Sequence, residues 1–191
     1  MQSLTSVTMK GEINQSDGSV MEIDLSMSTD GECRGTIVFD GAGVRFIQVD
    51  GSAYMQADDA FWSEQSGGDG AAINDLLADR WARMPSEQGM GEMCDLNAFL
   101  EDLDEDGDDK EPQVSEGEKI DGKATVKLTT VENDETTNAY IADYDDAYIL
   151  RMVKEDGDEP GQIDFTDFNK KFDIKAPSED ESVDFEALQQ Q

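Results

Sequence analysis

Apolar and polar residues alternate along the first third of the chain, and short turn signals interrupt the alternation. In Met21-Glu-Ile23-Asp-Leu25-Ser-Met27 every second residue is apolar. Val7-Thr-Met9-Lys-Gly11-Glu-Ile13, Cys33-Arg-Gly35-Thr-Ile37-Val-Phe39, Val44-Arg-Phe46 and Ala53-Tyr54-Met55 keep the same period. Neighbouring side chains of a strand point to opposite faces, so a period of two calls for a sheet with one buried and one wet face. That pattern belongs to antiparallel sheets. Ser16-Asp17-Gly18, Thr29-Asp30-Gly31, Asp40-Gly41-Ala42-Gly43 and Asp50-Gly51 supply hairpin turns between the runs. The strands therefore meander, each pairing with the next.

The period then changes. Asp58-Asp59-Ala60-Phe61-Trp62 reads as a capped helical turn. From Ala71 to Trp81, helical spacing puts Ile73, Leu76, Leu77, Arg80 and Trp81 on one stripe. From Met93 to Leu103 it does the same for Leu96, Phe99, Leu100 and Leu103. Strands resume after the acidic stretch that ends at Glu111, at Ala124 to Leu128, Ala139 to Ile141, Tyr148 to Val153 and Gln162 to Phe165. The order of strands, helices and strands predicts a single α+β domain over residues 1–176, with helices over about 58–103 lying across the sheet. The acidic segment 177–191, ending in three Gln, is expected to be disordered.

Charge decides which functions to set aside. The 191 residues include 46 Asp+Glu, 14 Lys+Arg and no His, for a formal net charge of −32. Such a surface repels phosphate backbones, which argues against nucleic acid as a partner. The absence of His removes the commonest general base and metal ligand. No GxSxG nucleophile turn or phosphate-binding loop occurs, and no carboxylate pair is marked for acid–base work, so no enzyme activity and no cofactor are expected. Asp102, Asp104 and Asp106, followed by Gly107, resemble the start of a calcium loop, but the twelfth position is Gln113 and Pro112 precedes it. We read a solvated acidic loop, with these three residues only weak candidates for metal. Mutual repulsion of the surface favours a monomer.

The two cysteines, Cys33 and Cys94, have no CxxC spacing and no His partner. They form either a disulfide or two buried thiols, and we favour the disulfide. It would close a loop of about 60 residues, worth roughly 4 kcal/mol by the chain-entropy estimate, and would imply an oxidising, extracytoplasmic location. The opening MQSLTSVTMKG has neither a basic start nor an apolar h-region, so it does not read as a signal peptide.

Five segments, taken in order, carry a family resemblance: Asp30-Gly31-Glu32-Cys33-Arg34-Gly35-Thr36-Ile37, Ala60-Phe61-Trp62, Arg80-Trp81, Met93-Cys94-Asp95-Leu96, and Asp158-Glu159-Pro160-Gly161-Gln162-Ile163-Asp164-Phe165-Thr166-Asp167-Phe168. Together they resemble actinobacterial cell-envelope lipoproteins of the LolA/LolB-like and LppX/LprG-like group, over about Ser6 to Pro177. The resemblance implies a curved antiparallel half-barrel covered by helices. Acyl chains of a lipid or glycolipid would lie between sheet and helices. It also implies export and tethering through a lipidated N-terminal Cys. No Cys precedes Ser3, so the expected form is trimmed and soluble, without its anchor. The alternation supplies lining for such an interior, rich in adaptable Met, with Met55 and Met152 also near the apolar face. The expected lining is Met9, Met21, Ile23, Leu25, Met27, Ile37, Phe39 and Phe46, with Leu76 and Leu77 as lid. The alternatives are an interaction or sensor module of the same fold with a filled core, and an acidic cation-binding surface protein.

Overall fold

The computed structural model describes residues 4–66, 70–77, 79–86, 91–105, 111–132, 134–144, 146–185 and 187. Its first five strands follow the alternation: β1 (Ser6–Asn14), β2 (Val20–Ser28), β3 (Cys33–Phe39), β4 (Ala42–Val49) and β5 (Ser52–Ala57). Each pairs antiparallel with the next. The turn at Asp40-Gly41 has both residues at positive φ, and so does the turn at Asp50-Gly51. Two-residue hairpins need that conformation to match strand twist, and Asp-Gly adopts it at low cost. Helices α1 (Asp59–Ser66) and α2 (Gly70–Leu77) follow, then β6 (Trp81–Pro85), a 3-10 turn (Gly91–Cys94) and α3 (Leu96–Glu105). Strands β7 (Gln113–Glu116), β8 (Thr125–Glu132), β9 (Glu135–Ala142), β10 (Ile149–Lys154) and β11 (Gly161–Thr166) form a second meander. A second 3-10 turn (Glu179–Glu181) leads into β12 (Ser182–Asp184).

Among the described residues twelve strands form one open, curled sheet, in the order β12-β6-β5-β4-β3-β2-β1-β11-β10-β9-β8-β7. The two meanders join where β1 pairs antiparallel with β11. Strand β12 pairs in parallel with β6. The α+β expectation of a curved antiparallel half-barrel with a helical insert is thus met, with strands making up most of the structure. Glycines sit where β1 and β11 approach closely: a Cβ on Gly11 would lie 1.9 Å from the Gln162 carbonyl oxygen, and one on Gly161 2.5 Å from that of Glu12. A strand interior admits such close backbone approach only at glycine.

The two faces differ sharply. On the inner face one cross-strand row runs Val114, Leu128, Ala139, Met152, Ile163, Gly11, Ile23, Ile37, Val44, Ala57. On the outer face the neighbouring row runs Ser115, Lys127, Tyr140, Arg151, Asp164, Lys10, Asp24, Thr36, Arg45, Gln56. Lys10 pairs with Asp24 at 2.7 Å, and Arg151 pairs with Asp164 and Glu118. Part of the outer face is apolar and has its own cover: Phe172 and Ile174 of the segment after β11 pack on Ile47, Val49, Tyr54 and Trp81. That segment leads to β12, where Val183 and Phe185 pack against Trp62, Ala82 and Met84.

Three expectations need correction. The helix foreseen through Trp81 ends at Leu77, because Asp79 turns to positive φ and the Arg80 amide caps the Leu77 carbonyl. Trp81 then opens a strand whose Ala82 and Met84 are buried. The foreseen lid over 58–103 is accordingly interrupted by β6. The acidic segment after Pro177 is ordered through β12 in its described part, since it continues the sheet. Leu76, expected on the lid's inner side, is 60% exposed, whereas Leu77 beside it is 1% exposed. Neighbours on a helix point about 100° apart, so one short helix cannot turn both inward.

Candidate functional site

The helices cover the inner face unevenly. Asp58 starts α1, its Oδ1 accepting from the Phe61 amide and its Oδ2 from the Gly43 amide, both at 2.9 Å. These bonds hold its carboxyl below the usual aspartate range and tie the helix to β4. Trp62 and Leu77 of α1 and α2 then bury Ala53, Ala82 and Met84 at the β5–β6 wing. The start of α3 is fixed by Asp95, whose Oδ1 accepts from the Asn97 and Ala98 amides at 3.0 Å. Its anchor is the bond between Cys33 of β3 and Cys94, with Cα atoms 5.5 Å apart and both residues fully buried. Phe99 stacks on Phe165 at 6.0 Å between centroids, so α3 lies over the middle of the sheet. Its predicted stripe is in place: Leu96 and Leu100 are buried, Phe99 and Leu103 half-buried.

The eight expected lining residues of the sheet all meet in one cluster, but they divide in two. Met9, Leu25, Met27, Ile37 and Phe46 are buried beneath Leu96, Leu100 and the disulfide, as filled core. Met21, Ile23 and Phe39 lie further along the same strands and are only half-buried. Leu77 belongs to the separate cluster with Trp62.

Beyond α3 the inner face of β8, β9 and β10 forms an open groove of about 340 Å³. Its floor is Leu128, Ala139, Ile141, Ile149 and Met152, and its sides include Leu103 and Pro112. Thr130, Thr137, Glu132 and Glu135 form its rim. Lys154, the strand neighbour of Thr137 on this face, donates to Glu135 at 2.9 Å. That bond holds the Glu135 carboxyl below the usual glutamate range. A mostly apolar groove with a few convergent polar groups at one end is the ordinary form of a small-ligand site. Larger hollows on the outer face, such as one of about 580 Å³, are lined by charged side chains including Lys10, Arg151 and Asp164 that are already paired.

Sequence reasoning drew its lining from the first meander and missed most of this groove. Met152 is expected near the apolar face from the sequence, and the alternation at Leu128, Ala139 and Ile141 is the signal for the rest of the floor. No group of three or more His, Cys, Asp or Glu able to hold a metal occurs among the described residues. Asp102 and Asp104 lie in the last turns of α3, while their side chains and all of Asp106 lie outside the described residues. No helix of the described residues is long and apolar enough to cross a membrane.

No family model and no curated protein sequence matches the chain. Solved structures do. LprF from Mycobacterium bovis aligns with a TM-score of 0.61 at 15% identity, covering 93% of this chain and 91% of LprF. The lipoprotein LppX from Mycobacterium tuberculosis aligns at 0.55 and 14% identity, covering 91% of each chain. A LolA superfamily protein from Nitrosomonas europaea aligns at 0.34, too distant to argue from. At these identities the likeness is one of fold, and it agrees with the resemblance carried by the sequence segments: the chain has the half-barrel of the LppX-like lipoproteins.

Proposed function

We propose that the protein is a non-enzymatic, extracytoplasmic lipid-binding module that holds an acyl chain of an envelope lipid or glycolipid against the open part of its inner face. The observation that carries this reading is the groove past Leu103. Its apolar floor is contiguous with Met21, Ile23 and Phe39 along the inner face, and no described helix covers it. Burying hydrocarbon there yields about 25 cal/mol for each Å² removed from water. The fully buried disulfide supports an oxidising compartment.

The burial of Met9, Leu25, Met27, Ile37 and Phe46 favours a second reading for the other half of the interior, a plain filled core. Two variants separate the readings. Ala139→Trp, which fills the groove floor, should abolish fluorescence enhancement of N-phenylnaphthylamine, an uncharged apolar probe, while leaving circular dichroism unchanged. Leu25→Ala should destabilise the protein by about 2–5 kcal/mol and leave probe uptake intact. Probe uptake that survives Ala139→Trp would place the ligand elsewhere. No uptake by the unmodified protein would favour the interaction module.

A further inference from the structure

Cations are scarce in this chain, 14 Lys+Arg against 46 Asp+Glu. Lys10, Arg83, Arg151, Lys154, Lys170 and Lys175 each form an ion pair. Arg34 of β3 and Arg45 of β4 do not: among the described residues no carboxylate is in ion-pair contact with either guanidinium. Both are exposed on the outer face. Arg34 stands opposite Ser26 on one side and Ile47 on the other, and Thr36 stands opposite Arg45. The two arginines are thus diagonal neighbours, a spacing of about 7–8 Å that long side chains bridge. With Ser26, Thr36 and Lys10 they line one outer-face hollow of about 430 Å³. Arg45 is held in place. Its Nη2 donates to Gln56, which donates in turn to the Asp79 carbonyl, and its guanidinium carbon lies 5.7 Å from the Trp81 ring centre.

The nearby carboxylates are engaged elsewhere. Asp24 and Asp167, which also line the hollow, bond Lys10 at 2.7 Å and Lys170 at 2.6 Å. Asp173 is near enough to feel Arg34 but bonds Lys175 at 2.8 Å. On its far side Arg45 borders a second hollow with Asp58, Asp59 and Asp79, where the Asp58 carboxylate serves two backbone amides.

We propose that Arg34 and Arg45 form an oxyanion site on the outer face, and that its ligand is a phosphate dianion, free or as the head of a monoester. Each guanidinium presents a planar fork of N–H donors, and Ser26 and Thr36 add hydroxyls. A carboxylate has two oxygens and one charge, which leaves one fork without a partner. A phosphate dianion brings one charge for each arginine and enough oxygens for both forks. The net charge of −32 does not forbid this, because exposed charges beyond about 8 Å are largely screened at physiological ionic strength. The site lies on the opposite face of the sheet from the apolar groove, so it stands independently of the lipid-binding reading.

The test is isothermal titration calorimetry at fixed ionic strength and mildly alkaline pH, with inorganic phosphate, glycerol phosphate and acetate as titrants. Inorganic phosphate should bind at least about tenfold more tightly than acetate. Arg34→Gln and Arg45→Gln should each weaken phosphate binding at least about tenfold. Arg34→Lys, which keeps the charge and loses the fork, should weaken it as well. Lys127→Gln, which removes a cation from the same face outside the hollow, should leave the affinity within about twofold. Glycerol phosphate identifies the source within the proposal: tighter binding than inorganic phosphate marks a monoester, and weaker or equal binding marks free phosphate. Absence of phosphate binding would overturn the proposal. So would equal binding of phosphate and acetate, or equal losses in Lys127→Gln and Arg34→Gln, since both would mark a diffuse charge effect.

Discussion

Asp58 shows how a single side chain positions an element. Its two carboxylate oxygens serve two different backbones, the start of α1 and the Gly43 amide of β4. Because these bonds favour the charged form, its folded pKa lies below the usual aspartate value. Its contribution to stability is therefore complete above the unfolded value and is lost as pH falls through the lower folded one. Asp58→Ala should cost about 1 kcal/mol at neutral pH, as losses of helix caps do. Urea melts across the acid range should show a shallower pH dependence for Asp58→Asn than for the unmodified protein. Gly11 and Gly161 act through what they lack: both face the partner backbone so closely that any side chain would displace it.

At the scale of elements, α3 is a cover fixed at one end. Cys94, the Asp95 cap and Leu96 pin its start to β3 and the core, while Leu103 near its other end borders the groove. Replacing both cysteines by Ser should cost about 2–5 kcal/mol. In hydrogen exchange the loss should concentrate at the start of α3 and along β3. Equal loss over all strands would contradict the anchoring role. Strand β12 is the second device. It brings Phe185 to stack on Trp62, with centroids 6.0 Å apart. Phe185→Ala should lower stability by roughly 2 kcal/mol, less than for a fully buried Phe, and shift the Trp62 emission to the red. An unchanged emission spectrum would contradict that packing.

For the whole molecule, the excess negative charge is carried mainly outside the sheet. The strands hold Lys10, Arg34, Arg45, Arg83, Lys127, Arg151 and Lys154 against Glu12, Glu22, Asp24, Glu116, Glu132, Glu135, Asp164 and Asp184, which nearly cancel. The turns, helices and terminal segment keep most of the −32. Repulsion among exposed charges weakens when salt shortens their range, so Tm should rise as NaCl goes from millimolar to molar. A flat or falling Tm in a salt series would contradict this.

The sequence by itself determined the local features of this fold: the alternation of β1 to β5, the Asp-Gly hairpins, the Leu96–Leu103 stripe and the shared inner face of Met9, Met21, Ile23, Leu25, Met27, Ile37, Phe39 and Phe46. Each depends on neighbours within one or two turns of backbone, and period and turn chemistry report such neighbours. Only the tertiary structure decided that β11 pairs with β1, that Trp81 lies in a strand and that β12 completes the far edge. These contacts join residues distant in the chain, and their free energy comes from surfaces that exist only once the chain has folded. The groove depends on them too, because among the described residues α3 covers the core where the two meanders join and only its Leu103 borders the apolar floor beyond.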